Sequence, residues 1–265
     1  PETRHVGLDA ADALPGCEVV CVSDEEWGRI AREGAGAVLA EAATAPESVA
    51  LLLFTAGTSG RPKGAMLTHG ALRANVEMLL ALQAPAAVTP DDVVLAVLPM
   101  FHVYGLNTVL GLAVAAGATC VVTDRFDPQQ CADLVARHAI TTIAGAPAMY
   151  QAWCFTPGLR ERLASVRLLS SGGAPLPPTV FTAFREATGL EIFEGYGMTE
   201  ASPVVATTVV TGRPKPGSVG RPLPGLDIRL VDEDGSDVDE GDPGGGSKCG
   251  TDLGECVAGT NHCAG

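Results

Sequence analysis

The sequence predicts an α/β fold, a mainly parallel sheet with flanking helices, on three observations. Short apolar runs alternate with amphipathic segments from Val49 to Phe193, a stretch of about 150 residues, as strands joined by crossover helices do. Helical segments begin on capping residues and one ends on glycine, so their limits are written locally. With 46% hydrophobic and 18% charged residues the chain can bury a core, and 32 glycines and 19 prolines supply turns.

Val49 to Phe54 reads as a buried strand. Thr68 caps a helix running to about Gln83, with Leu72, Val76, Leu79 and Leu80 on one face. Val93 to Leu98 is strand-like, Leu106 to Ala115 helical and Ala118 to Thr123 a strand. Asp127 followed by Pro128 starts a helix that ends near His138, because the carboxylate caps free amides and proline suits the first turn. Then come a strand over Thr141 to Ala144, a helix through Tyr150 and a strand over Val166 to Ser170. A helix from Pro177 to Thr188 closed by Gly189 and a strand over Glu191 to Phe193 complete the run. Ligands in such sheets sit beyond the carboxyl ends of the strands, which directs attention to the loops there.

Charge excludes one class of partner. The chain has 31 acidic and 17 basic residues, a formal charge of −14, and no basic patch, which argues against nucleic acid. The acid sits at the two ends, while residues 51 to 226 sum to +1. The uncharged stretch Val97 to Val122 is interrupted by Pro99, His102 and Asn107, so no transmembrane segment is expected. Cys17, Cys21, Cys120, Cys131 and Cys154 read as reduced core thiols, and Cys249, Cys256 and Cys263, each seven residues apart, lack zinc-ligand spacing. A cytoplasmic protein is expected. Residue 1 is Pro, so the chain is expected to be a fragment or a processed product.

The loop after the first strand, Thr55-Ala-Gly-Thr-Ser-Gly-Arg-Pro-Lys-Gly64, has the composition of a phosphate cradle. Glycines let backbone amides approach an anion, hydroxyls add donors, and Lys63 adds a compact charge. Lysine is otherwise scarce, at Lys215 and Lys248 only. The spacing is neither a Walker loop nor a dinucleotide fingerprint.

This loop resembles the signature of the AMP-forming adenylating enzymes, the superfamily of acyl-CoA synthetases, peptide-synthetase adenylation domains and beetle luciferases. Four further segments resemble it in order: Pro99-Met-Phe-His-Val-Tyr-Gly105, Ser171-Gly-Gly-Ala-Pro175, Glu194-Gly-Tyr-Gly-Met-Thr-Glu200 and Gly217-Ser-Val-Gly-Arg-Pro-Leu-Pro-Gly225. The resemblance implies a carboxylic acid activated by ATP as an acyl-adenylate, with CoA the acceptor in the full-length family. It implies that Thr55, Gly57, Thr58, Ser59, Gly60 and Lys63 hold phosphates, and that Gly173, Ala174, Pro175, Gly195, Tyr196, Gly197 and Thr199 border the nucleotide, with Tyr196 on adenine. Glu200 is the implied Mg²⁺ ligand, Lys63, Thr199 and Glu200 the implied catalytic set, and His102, Val103, Gly105, Gly145 and Gly172 the implied acyl pocket. The segment Met100 to Gly105 holds no acid for a substrate amine, which favours an apolar acid, most like a fatty acid, over an amino acid; an aryl acid stays open.

The expected organisation is a flank over residues 1–48, an AMP-binding core over 49–226, the start of a β-rich subdomain over 227–244 with a strand from Asp227 to Val231, and an unmatched Gly/Cys-rich tail over 245–265. The family's small C-terminal lid domain is expected to be absent, with the tail out of register with a parent gene. On that expectation activity is weak, and a non-catalytic nucleotide-binding or partner-binding remnant is the alternative.

Overall fold

The structure, a computed structural model, describes residues 24–34, 36, 44–55, 62–229, 249–250 and 255–257. The chain divides into two compact units, Pro1–Ala43 and Thr44–Gly265. The first contains helix α1 (Asp24–Glu33), where Arg29 and Glu33 pair one turn apart at 2.8 Å.

The second unit begins with an antiparallel hairpin of β1 (Val49–Thr55) and β2 (Lys63–Thr68). The expected buried strand is therefore corrected. Among the described residues the run pairs only with β2 in a two-stranded sheet, and Leu52 and Phe54 are 55% and 72% exposed. An apolar run alone does not say whether both faces are covered. Thr68 caps α2 (His69–Leu80) by accepting from the Ala71 amide at 3.1 Å. The helix ends at Leu80, short of Gln83: in a continued helix the Pro85 ring would clash with the Ala81 carbonyl four residues back.

Among the described residues the main sheet has nine strands, running from the edge Cys249–Gly250 through Glu255–Val257, Ser218–Pro222, Val204–Thr207, Ile192–Gly197, Leu168–Ser171, Thr142–Gly145 and Val93–Ala96 to the edge Thr119–Val122. Its parallel core comprises β3 (Val93–Ala96), β4 (Thr119–Val122), β5 (Thr142–Gly145), β6 (Leu168–Ser171) and β7 (Ile192–Gly197). From β7 the sheet continues antiparallel through β8 (Val204–Thr207), β9 (Ser218–Pro222), β11 (Glu255–Val257) and β10 (Cys249–Gly250). Alternate residues build two cores. Leu95, Ile143 and Leu169 face one side, under α4 (Pro128–His138), α5 (Pro147–Trp153) and α7 (Pro178–Thr188), with the short α6 (Leu159–Arg162) beside them. Val94, Ala96, Ala144 and Leu168 face the other, under α2 and α3 (Leu112–Ala116). Asp127 caps α4 through the Gln130 amide at 2.8 Å, and Gly189 closes α7 in the left-handed conformation at φ 80°.

Three expectations change. The helix expected from Leu106 begins at Tyr104 and is π-helical to Gly111, a wide winding frequent beside functional sites. β7 runs four residues beyond the expected end at Phe193, so Gly195-Tyr-Gly197 belongs to the strand. The strand expected from Asp227 is absent over 227–229, and 230–231 lie outside the described residues.

An ionic knot joins the amino ends of the parallel strands. Arg167 Nε donates to Asp92 Oδ1 at 2.7 Å and Nη2 to Oδ2, and the Thr141 hydroxyl donates to Oδ1 at 2.6 Å. Burial works against the Asp92 charge, but Arg167, Thr141 and Thr89 outweigh it and hold its carboxyl well below the usual range. The unfolded chain then binds the extra proton in acid, so this contribution is complete above the ordinary value of 3.8 and is lost as pH falls below it. Arg167→Met is expected to cost about 2–3 kcal/mol at neutral pH, less than for a fully buried pair because the arginine side chain is 34% exposed. In urea titrations the gap to the parent should close below about pH 4; a constant gap would refute the assignment.

Candidate functional site

A cavity of about 260 Å³ lies between the sheet and the face made by α2 and the π-helical segment. It follows the strands. His102, Gly172, Gly173, Tyr196, Gly197 and Thr199 line it at their carboxyl ends, whereas Val94, Thr142 and Leu168, which are ladder neighbours, line it towards the amino ends. The depth is aliphatic, with Leu79, Leu82, Val88, Val109 and Leu112 completing the wall.

The expected site residues separate into groups. Of the nucleotide set, Gly173, Gly195, Tyr196, Gly197 and Thr199 line the cavity; Ala174 and Pro175 are exposed in the turn after β6, and Glu200 is exposed beside Thr199. Of the acyl set, His102 and Gly172 line the cavity. Val103, Gly105 and Gly145 do not: Val103 is buried, a Cβ on Gly105 would stand 2.4 Å from the Pro99 carbonyl oxygen, and one on Gly145 would touch Met149 and Tyr150. These two glycines permit close packing. Thr55 and Lys63 face each other at the loop end of the hairpin, the Thr55 hydroxyl donating to the Lys63 carbonyl at 3.4 Å. Gly57, Thr58, Ser59 and Gly60 lie outside the described residues.

The mouth is held by residues that sequence reasoning missed. The short turn Thr199–Ala201 carries Thr199 and Glu200. Behind it, Asn107 donates to the Ser202 carbonyl at 2.8 Å and the Leu72 carbonyl at 3.0 Å, while Asn75 exchanges bonds of 2.7 and 3.3 Å with the Val204 backbone. Glu194, within β7, is 4% exposed and accepts from the amides of Leu176 and Gly217, both at 3.2 Å, tying the turn after β6 to the segment before β9. Burial pushes its carboxyl up from 4.5, the two amides acting in the other direction. His102 Nδ1 accepts from the Tyr104 amide at 3.1 Å, which places the proton of a neutral ring on Nε2. Tyr104, pushed up to about 12 by burial, packs its ring where a Gly172 side chain would otherwise sit. Buried asparagines within helical patterns were the one available signal for Asn75 and Asn107.

Chemically, the mouth offers glycine backbone, hydroxyls, the imidazole of His102 and the rings of Tyr104 and Tyr196, with the exposed Glu200 carboxylate beside it, and the shaft offers a mainly aliphatic wall. Among the described residues no cluster of three His, Cys, Asp or Glu could cage a metal. A lone exposed carboxylate fits an ion such as Mg²⁺, which keeps waters and is shared with phosphates. No helix among the described residues is long and apolar enough to cross a membrane.

Residues 4–246 match the family described as AMP-binding enzyme. The chain is 37% identical over 187 residues to a long-chain-fatty-acid–CoA ligase of Bacillus subtilis (strain 168), covering 70% of this chain and 33% of that one. It is 36% identical over 202 residues to 4-coumarate–CoA ligase 3 of Oryza sativa subsp. japonica, covering 74% and 36%. The fold matches ATP-bound MatB from Rhodopseudomonas palustris with TM-score 0.80 and 33% identity, over 91% of this chain and 47% of that one. The chain thus spans between a third and a half of the length of these relatives.

Proposed function

The chain belongs to the AMP-binding enzyme family, and from that premise we propose that it is the adenylating part of an AMP-forming ligase for an apolar carboxylic acid. The reaction joins a carboxylate oxygen to the α-phosphorus of ATP, breaks the bond to the β-phosphate and releases pyrophosphate. The acyl-adenylate then passes its acyl group to the CoA thiol with AMP leaving. Negative charge gathers on phosphoryl oxygens, so aimed donors and cations carry the catalysis. Lys63, Thr55 and the hydroxyls and amides of residues 57–60 take the β- and γ-phosphates. Tyr196 stacks on adenine, with Gly173 and the turn through Ala174 and Pro175 along its edge. Glu200, beside Thr199, holds Mg²⁺, which neutralises phosphate charge when bound.

One observation carries this reading: the polar, glycine-rich mouth opens into a single aliphatic shaft. Such a shape seats a charged head at the strand ends and an apolar tail between sheet and helices. The volume exceeds the roughly 150 Å³ that holds benzene in a dry cavity, enough for a substituted ring or a chain of medium length. The two ligases above are named for fatty acids and for coumarate; within that span we favour an aliphatic acid, because leucine and valine make up most of the wall, with Thr108, Thr142 and Thr207 among them.

Acid-dependent exchange of labelled pyrophosphate into ATP tests the proposal. The Lys63 side chain has no hydrogen-bond or ionic partner among the described residues, so Lys63→Ala should leave folding intact and lower exchange about a hundredfold. No exchange by the parent with any acid would instead favour a nucleotide-binding remnant.

A further inference from the structure

The turn that carries Thr199 and Glu200 is held mostly by itself. The Ala201 amide donates to the Met198 carbonyl, the Ser202 amide to the Thr199 carbonyl and the Met198 amide to the Pro203 carbonyl. Ser202 closes the turn at φ 71°, in the left-handed region that a residue other than glycine keeps only where its surroundings over-determine it. Among the described residues a single side-chain hydrogen bond reaches this turn from another element. It runs from Asn107 Nδ2 to the Ser202 carbonyl at 2.8 Å.

Asn107 lies in the π-helical segment at 8% exposure. Its carboxamide also donates to the Leu72 carbonyl of α2 at 3.0 Å. Gly111 leaves it room, since a Cβ there would stand 2.9 Å from Asn107 Oδ1. A leucine would fill a similar volume and bury no polar atom, so the two donors are what this position adds. Tyr104, Thr108 and Val109 of the same segment line the shaft, while Asn107 itself does not line the cavity.

Resting on the adenylation reading above, in which Glu200 holds Mg²⁺, we propose that Asn107 is a positioning residue for the metal turn. By fastening Ser202 to α2 and the π-helical segment, it holds the Glu200 carboxylate ready to share the ion with the phosphates of ATP. It acts only through the turn.

The test is calorimetric binding of ATP to the full chain with and without Mg²⁺, a readout that needs no turnover. In the parent Mg²⁺ should tighten ATP about tenfold, the order expected for a carboxylate meeting a cation near a protein surface. Asn107→Leu should lose most of this gain while binding ATP without Mg²⁺ as the parent does. Glu200→Gln should lose the gain likewise, and the double variant should lose no more than either single one, because both substitutions remove one interaction. Asn107→Ala, whose smaller side chain admits a water to the Ser202 carbonyl, should show the same loss and serves if the leucine variant does not fold. An unchanged gain in a folded Asn107 variant, as a purely structural residue would give, overturns the inference. So does a parent without any gain, or losses that add in the double variant. Pyrophosphate exchange separates the two readings. Exchange by a parent whose gain ignores Asn107 keeps the adenylation reading and sinks this one, whereas an Asn107-dependent gain without exchange does the reverse.

Discussion

Gly220→Ala is expected to destabilise the second unit by about 2–5 kcal/mol, reaching the extreme of single substitutions. Two costs combine. Gly220 has φ +85°, and an added Cβ would lie 2.1 Å from the Thr207 carbonyl carbon and 2.2 Å from the Thr208 nitrogen, so backbone rather than a flexible side chain would have to yield. The conformation alone costs a residue other than glycine about 1–2 kcal/mol, and forced repacking about 1–3 kcal/mol more. Gly225→Ala separates the terms, because Gly225 has φ +91° but nothing within 4 Å of its Cβ position. Thermal melts should show a fall of about 10 °C or more for Gly220→Ala and only a few degrees for Gly225→Ala. Similar falls would show that strain, not close approach, dominates. The site would suffer too. Thr207 lines the cavity and its hydroxyl donates to the Glu194 carbonyl at 3.0 Å, so pushing β9 off β8 moves the wall.

Glu200→Gln should affect activity as strongly as Lys63→Ala and have almost no effect on stability. The side chain is exposed and has no hydrogen-bond or ionic partner among the described residues, so the melting temperature should stay within about a degree of the parent. The amide keeps the shape and removes the charge that a hard divalent ion prefers. Pyrophosphate exchange at limiting Mg²⁺ should fall by about a hundredfold, or about 2.7 kcal/mol of barrier, with partial recovery at higher Mg²⁺. A loss that Mg²⁺ does not relieve would remove Glu200 from metal binding. Unchanged exchange would remove it from the reaction.

What the sequence discloses is whatever is written in neighbouring residues. The caps Thr68 and Asp127, the closing Gly189 and the glycine-rich turns at strand ends all depend on residues within a few positions, and the fold class follows from their alternation. The hairpin escaped because Val49 to Phe54 is apolar throughout, while its partner, Lys-Gly-Ala-Met-Leu-Thr, looks like the continuation of a loop. The antiparallel half of the sheet escaped because β8 and β9 are four and five residues long and are interleaved with glycine and proline. In the site, Tyr196, Thr199 and Gly172 lie in motifs, but Asn75 acts on a backbone 129 positions away. Glu194 joins two turns on either side of it in sequence. Such residues acquire meaning only once the chain has folded, and no local pattern announces them.

Thr141 and Thr142 adjoin in the chain yet serve opposite ends of one device. One is fastened to Asp92 and the other closes the shaft. The base of the cavity is consequently nailed to the best-anchored charge pair in the sheet and cannot recede to admit a longer tail. Tolerance for new acids should thus evolve by trimming the helical wall at Leu79, Leu82 or Leu112, whereas the reach of the shaft behaves as a fixed ruler.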